Sequence, residues 1–235
     1  MYCDVYHWTR RCDINKLKRI TKFMDDEYIS PELAEIIGLL CAEGSYVIGY
    51  SSYWLVERGK LRFRVNDKSE RIEFCNKDPK LLEHFSKLLL KVFNYQTKST
   101  KHHKVNICKV AIVKKILSLT NIGHSKWYVP GVIMAADKKI IISFIRGYFD
   151  GDGSSSKYIR FFSTNEHGLN QVQKLLQIIG FRSYFEKTYL KESRKPLFTL
   201  HVENRQRESF LSLIQPVSKI PGNAGVIHKQ MFVDP

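Results

Sequence analysis

The chain has 235 residues, 43% of them hydrophobic, with 38 Lys and Arg against 23 Asp and Glu and a net charge of +15. That composition supports one large domain or two small ones with real cores and excludes a disordered chain, while the charge points to a polyanion partner, most often nucleic acid. No apolar run approaches the ~20 residues that span a bilayer, no signal-peptide apolar region opens the chain, and the basic residues alternate along expected strands rather than lining an amphipathic helix, so no membrane partner is expected.

Residues 1–30 read as an N-terminal extension. Lys16, Lys18 and Arg19 lie on an expected helix and read as a solvated face. Cys3, His7 and Cys12 are spaced more loosely than structural zinc ligands usually are. The five cysteines, these two with Cys41, Cys75 and Cys108, are odd in number and include no CxxC pair, which fits a reducing intracellular compartment.

The first repeat, 31–130, opens on Ile36–Gly44, a small-residue apolar helix that ends in one carboxylate, Glu43, followed by glycine. Gly38 sits five residues before the acid, where a bare backbone lets another helix approach. A strand-rich stretch follows. In Leu61–Asn66 the apolar Leu61, Phe63 and Val65 are expected to face helices, and Arg62, Arg64 and Asn66 to face solvent or ligand. Asp78 and Pro79 then form a helix start, with Leu82, Phe85 and Leu89 at helical spacing. A hairpin is expected over 95–110, with Lys101 to Lys104 at its tip, and Lys98, Lys104 and Asn106 are candidate ligand contacts on it. A third helix over 111–119 leads to the turn Ser125-Lys126 and Pro130.

The second repeat, 131–235, follows the same order. Ile145–Gly153 ends in Asp152 followed by glycine, with Gly147 five residues before the acid. A strand over 156–161 is expected to show Ser156, Tyr158 and Arg160 on its polar side. A helix over 165–179 aligns Leu169, Val172, Leu175, Leu176 and Ile179. In a hairpin over 183–202, Phe198, Leu200 and Val202 are expected to face one way and Thr199 and His201 the other, with Lys187 a further ligand contact. A helix over 209–214 leads to Ser218-Lys219 and a proline. Trp8, Trp54 and Trp127 read as packing residues.

Two such halves imply a pseudo-twofold, saddle-like α+β protein, its sheets greasy toward the helices and basic toward a ligand. A two-stranded ribbon of that kind fits the major groove of DNA. If the two motif helices pack in the same sense, Glu43 and Asp152 arrive side by side and form a hard-cation site. A cation site inside a basic surface suggests cutting of a phosphate backbone. Asp150 lies two residues before Asp152 and points elsewhere on the helix, either supporting the site from behind or pairing with Arg146 at i, i+4.

Ile36–Gly44 and Ile145–Gly153 resemble, position by position in character, the LAGLIDADG signature of homing endonucleases. The order of elements over 31–222 resembles two copies of that family's αββαββα unit. The resemblance implies a free-standing, intron-encoded, site-specific double-strand DNA endonuclease. Such an enzyme binds a long asymmetric or pseudo-palindromic duplex as a monomer and leaves short 3′ overhangs. It implies Mg2+ as cofactor, with Mn2+ also active and Ca2+ supporting binding without efficient cleavage. It implies Glu43 and Asp152 as metal-binding acids, the carbonyls of Ala42 and Gly151 as backbone ligands, and Lys126 and Lys219 as groups that organise water and steady phosphate charge. Asn76 and Ser163 take the polar positions at the ends of central strands. Glu43 departs from the usual aspartate, and Ser163 from the usual amide, which puts symmetric water activation in question. An RNA maturase and a catalytically inactive DNA-binding regulator share the scaffold; the presence of both acids argues against the second.

Overall fold

The structure, a computed structural model, describes residues 29–97, 103–123, 125–189 and 195–219. The first half runs α1 (Pro31–Glu43), β1 (Gly44–Glu57), β2 (Lys60–Cys75), α2 (Pro79–Phe93), β3 (Lys104–Ile107) and α3 (Val110–Leu119). A short helix, α4 (Gly131–Met134), leads into the second half. There follow α5 (Lys138–Asp152), β4 (Gly153–Ser154), β5 (Arg160–Ser163), α6 (Glu166–Ile178), β6 (Ser183–Thr188), β7 (Leu197–Val202) and α7 (Arg207–Ile214). The strands form two antiparallel sheets, β1-β2-β3 and β4-β5-β7-β6. This is the α+β architecture the sequence leads one to expect.

Local chemistry starts the helices. The Ser30 hydroxyl accepts from Leu33 N at 3.1 Å, Asp78 from Lys80 N at 2.9 Å, Asp137 from Ile140 N at 3.0 Å and Asn165 from Gly168 N at 3.1 Å. Pro31 and Pro79 occupy first-turn positions, where a missing N–H costs nothing.

Helices α1 and α5 are the centre of the molecule. Leu33 through Cys41 are all buried, as expected for a helix that is apolar nearly all round. The two helices pack side by side in the same sense, backbone on backbone. A Cβ at Gly38 would fall on the carbonyl oxygen of Phe144, and one at Gly147 on that of Glu35. Exchanging the halves exchanges these two contacts, so the seam is a local twofold built on two glycines.

Each sheet covers one flank of this pair. Ile72, Phe74, Val105 and Ile107 are buried on the helix side of the first sheet, with Phe74 4.3 Å from Phe85 of α2. Phe161, Phe198, Leu200 and Val202 do the same in the second, where Phe149 packs edge-on against Phe161 at 5.2 Å and Phe210 at 5.1 Å. Trp127 is buried in the segment joining the halves, 4.9 Å from Tyr148, and its ring occupies the space left by the missing side chain of Gly168.

Four expectations need correction. In the first half, β3 is the single strand of the expected 95–110 hairpin among the described residues, because 95–97 are not extended into a ladder; residues 98–102, including Lys98, lie outside the description. The β1–β2 ribbon outruns the helix layer, so Leu61, Phe63 and Val65 are 64%, 48% and 65% exposed rather than covered. Trp54 is likewise exposed, its ring 4.9 Å from that of Phe63. The second-half counterpart of the ribbon is short: residues 156–159 form a loop, and Ser156 and Tyr158 are exposed there rather than alternating along a strand. Trp8, Cys3, His7, Cys12, Lys16, Lys18 and Arg19 fall outside the described residues.

Candidate active site and nucleic-acid interface

The glycine seam carries the two motif acids to one place. At its end a Cβ on Gly151 would strike Ala42 Cβ and lie 3.2 Å from Glu43 Cγ. Glu43 and Asp152 follow directly, both half-buried. Burial pushes the Glu43 carboxyl above the ordinary carboxylate range, partly offset by the charge of Lys219. Burial, and next the negative charge of Glu43, push Asp152 well above that range, again opposed by Lys219.

Both helices end here. Gly44 N–H closes on Leu40 O and Gly153 N–H on Phe149 O, so the Ala42 and Gly151 carbonyls fall in last turns that supply no intrahelical donor. Two carboxylates, two such carbonyls and two negative helix ends converge, an excess of hard-oxygen negative charge suited to a divalent cation.

Asn76 stands beside this centre. Its Nδ2 donates to Glu43 Oε1 at 3.4 Å, while its Oδ1 accepts from Asp78 N at 2.9 Å, which fixes the amide orientation. Ser163 takes the matching turn in the second half, its Oγ accepting from Asn165 N at 3.0 Å. Its hydroxyl is buried and bonds within its own turn, where Asn76 reaches an acid.

The lysines are not alike. Lys219 is half-buried and its charge acts on both acids. Lys126 is exposed on a turn closed by its own N–H to Gly123 O at 3.1 Å. Asp150 is not the partner of Arg146. Arg146 Nε donates to Ile214 O at 2.7 Å and Nη1 to Glu35 Oε2 at 3.4 Å. Asp150 instead accepts from Val217 N at 3.0 Å and Ser218 N at 2.9 Å, immediately before Lys219. Burial raises its carboxyl, against the pull of these amide donors.

The pairing registers sort the expected ligand contacts. Arg62, Arg64, Arg71, Lys104 and Asn106 share the face of the first sheet that points away from the helices. Glu57 pairs there with Arg62 at 3.3 Å and Arg64 at 3.4 Å, and Glu73 with Arg71 at 2.7 Å and Lys104 at 2.9 Å. The Glu57 pairs, exposed on both sides, are worth little and yield to a phosphate, whereas the Glu73 carboxylate is buried between its two partners. Asn66 sits at a bulge in β2, at φ 52°, with its N–H on Ser52 Oγ at 3.0 Å. Asn106 Oδ1 is buried without a hydrogen-bond partner among the described residues.

On the second sheet Arg160, His201 and Tyr184 form a row across three strands. The His201 ring stacks on Tyr184 at 4.9 Å and its Nε2 lies 2.8 Å from Glu186 Oε2. Arg160 Nε is buried without a hydrogen-bond partner among the described residues. Two expected contacts are displaced. Thr199, in a central strand, is only 6% exposed beneath its neighbours. Lys187 pairs in register with the core residue Phe198, so it lies on the helix side, its ammonium 5.3 Å from that ring. Tyr184 and Arg71 were missed in the sequence because only the register reveals which neighbours share a face.

The donor set fits a divalent metal that keeps part of its shell from outside the protein. No cluster of three or more His, Cys, Asp or Glu able to hold a metal occurs among the described residues. Mg2+ is commonly held by one or two carboxylates, with substrate phosphates and water completing the octahedron. No helix among the described residues is long and apolar enough to cross a membrane.

Residues 139–215 match the LAGLIDADG-like domain family. No curated protein matches the chain by sequence. Among solved structures, mesophilic variants of the homing endonuclease I-DmoI align over 78% of this chain and 94% of theirs, at 20% identity and a TM-score of 0.56. I-DmoI in complex with DNA and Ca aligns over 78% and 88%, at 18% identity and a TM-score of 0.55. An I-DmoI variant with its target DNA in the presence of Mg aligns over 79% and 96%, at 19% identity and a TM-score of 0.55. The chain has the fold of these proteins.

Proposed function

We propose that this chain, which carries a LAGLIDADG-like domain at residues 139–215 and has the fold of I-DmoI, is a site-specific endonuclease of double-stranded DNA. It acts as a monomer, depends on a divalent metal, and leaves short 3′ overhangs. One observation carries the reading: the glycine seam delivers Glu43 and Asp152, one acid from each half, to a single point beside Lys219 and Asn76.

The residues divide the work. Glu43 and Asp152, with the Ala42 and Gly151 carbonyls, would hold the cation, and their mutual repulsion is relieved when it binds. A bound divalent ion supplies an activated water and charge relief at the phosphate. Asn76 holds the Glu43 carboxylate in orientation through Nδ2 while Asp78 N fixes its other end. Lys219 brings a positive charge to the same point, where negative charge develops on a phosphate during hydrolysis. Lys126, on its exposed turn, would contact the duplex rather than the shared centre. Arg62, Arg64, Lys104 and Asn106 on one sheet and Arg160, His201 and Tyr184 on the other would take phosphates and base edges. I-DmoI structures with Ca, Mn and Mg accord with divalent metal use.

The test is incubation with a plasmid library of randomised or candidate sites. Mg2+ should give linear product from a small subset, and Ca2+ should give binding to that subset with little cutting. Binding without cutting in Mg2+ or Mn2+ would reduce the protein to a nucleic-acid-binding module.

A further inference from the structure

We infer that Asp150 is a positioning residue that holds Lys219 at the two acids by clamping the chain just before it. Both oxygens of this carboxylate are engaged: Oδ2 accepts from Val217 N at 3.0 Å, and Oδ1 from Ser218 N at 2.9 Å and Ser218 Oγ at 3.2 Å. Asp150 is 1% exposed, so water does not compete for these bonds. On the other side, the Lys219 carbonyl accepts from Ser155 Oγ at 2.5 Å, and Arg207 Nη2 holds the Ser155 carbonyl at 3.0 Å. Asp150 and Ser155 flank Asp152 in the chain. The segment that carries the acid therefore also carries both anchors of the lysine.

The first half shows what happens without the clamp. Cys41 stands two residues before Glu43, where Asp150 stands before Asp152. The turn there is held by Thr120, whose Oγ1 donates to Tyr128 O at 2.6 Å and accepts from Tyr128 N at 3.3 Å, beyond Lys126 rather than before it. Lys126 is exposed. The clamp thus accounts for why one lysine of two similar Ser-Lys turns reaches the acids. It makes the centre asymmetric, with Lys219 serving both carboxylates.

This inference rests on the endonuclease reading for the role of Lys219, and its test separates the two. Single-turnover cleavage and DNA affinity are measured for Asp150→Asn, Lys219→Met and the double variant. Asp150→Asn should slow cleavage by about 10–100-fold through misplacement of the lysine. Lys219→Met should slow it by about 10²–10³-fold. The double variant should be no slower than Lys219→Met, because both changes remove one function. Duplex affinity should stay within about threefold throughout, since phosphate contacts elsewhere dominate it. In the protein free of DNA and metal, amide hydrogen exchange at Val217 and Ser218 should accelerate in Asp150→Asn. Should that variant not fold, Ser155→Ala replaces it, with a smaller slowing that vanishes in the Lys219→Met background. Multiplicative losses in the double variant, or wild-type cleavage by folded Asp150→Asn, overturn the positioning role. If the wild-type protein cuts no DNA, the endonuclease reading falls, and the exchange rates alone decide the clamp: unchanged rates at Val217 and Ser218 overturn it.

Discussion

Asp152 occupies a place where a lone carboxylate is unfavourable. Burial and the Glu43 charge raise its folded pKa well above the unfolded value. The folded state therefore holds this proton more tightly than the unfolded chain does. That contribution to stability is fully present below the unfolded pKa of about 3.9, and it is lost as pH rises through the folded value. The metal-free protein should accordingly gain from Asp152→Asn at neutral pH, with Tm rising by about 2–4 °C for each kcal/mol recovered. The gain should shrink near the unfolded pKa, and adding Mg2+ should raise the wild-type Tm more than the variant's. Thermal unfolding at two pH values checks this; a variant less stable than wild type at neutral pH would contradict it. Both acids were legible from the repeated motif. The partners of Asp150 were not, because they lie 67 and 68 residues away at Val217 and Ser218, while Arg146 is engaged at separations of 68 and 111 residues. Helical spacing places a side chain on a face; it does not say what meets that face.

At the scale of elements, the α1–α5 seam decides whether there is a site at all. Gly147→Ala would put a methyl group against the Glu35 carbonyl. The helices must separate or bend, an overpacking strain of about 1–3 kcal/mol. Thermal unfolding should show that loss, and DNA cleavage should fall further than DNA binding, since the acids separate while the sheet faces persist. An alanine variant as stable as wild type would show that the seam has slack. The β1–β2 ribbon carries the second test at this scale. Arg62→Gln with Arg64→Gln should lower the log–log salt slope of DNA binding by about two units, with Tm little changed. An unchanged slope would remove the ribbon from the interface. Alternation identified the two faces of β2 but not how far the helices reach, so Leu61, Phe63 and Val65 were assigned a cover they lack. It also missed the shielding of Thr199 within a central strand and the register that turns Lys187 to the helix side. Those facts are set by neighbouring strands, not by the strand's own sequence.

At the scale of the molecule, two halves with the same order of helices differ in how they present their sheets: a 14- and 16-residue ribbon in one, strands of 2 and 4 residues in the other. On the endonuclease reading such a body would face a duplex asymmetrically while keeping one shared centre, and one acid from each half would leave no need of a second copy. The order of helices was readable because the long ones carry apolar stripes and α1, α2, α5 and α6 begin with a side-chain cap; the unequal ribbons were not, because nothing in a strand's alternation states its length. The central claim is that one acid from each half makes a single cutting centre. Its most direct test is cleavage of a cognate duplex in Mg2+ by the wild-type protein, Glu43→Gln and Asp152→Asn, with duplex affinity measured alongside. The wild type should cut both strands, and each variant should bind within about tenfold of wild type, ~1.4 kcal/mol or less, without double-strand cleavage. Double-strand cutting at the wild-type rate by either variant would contradict the account.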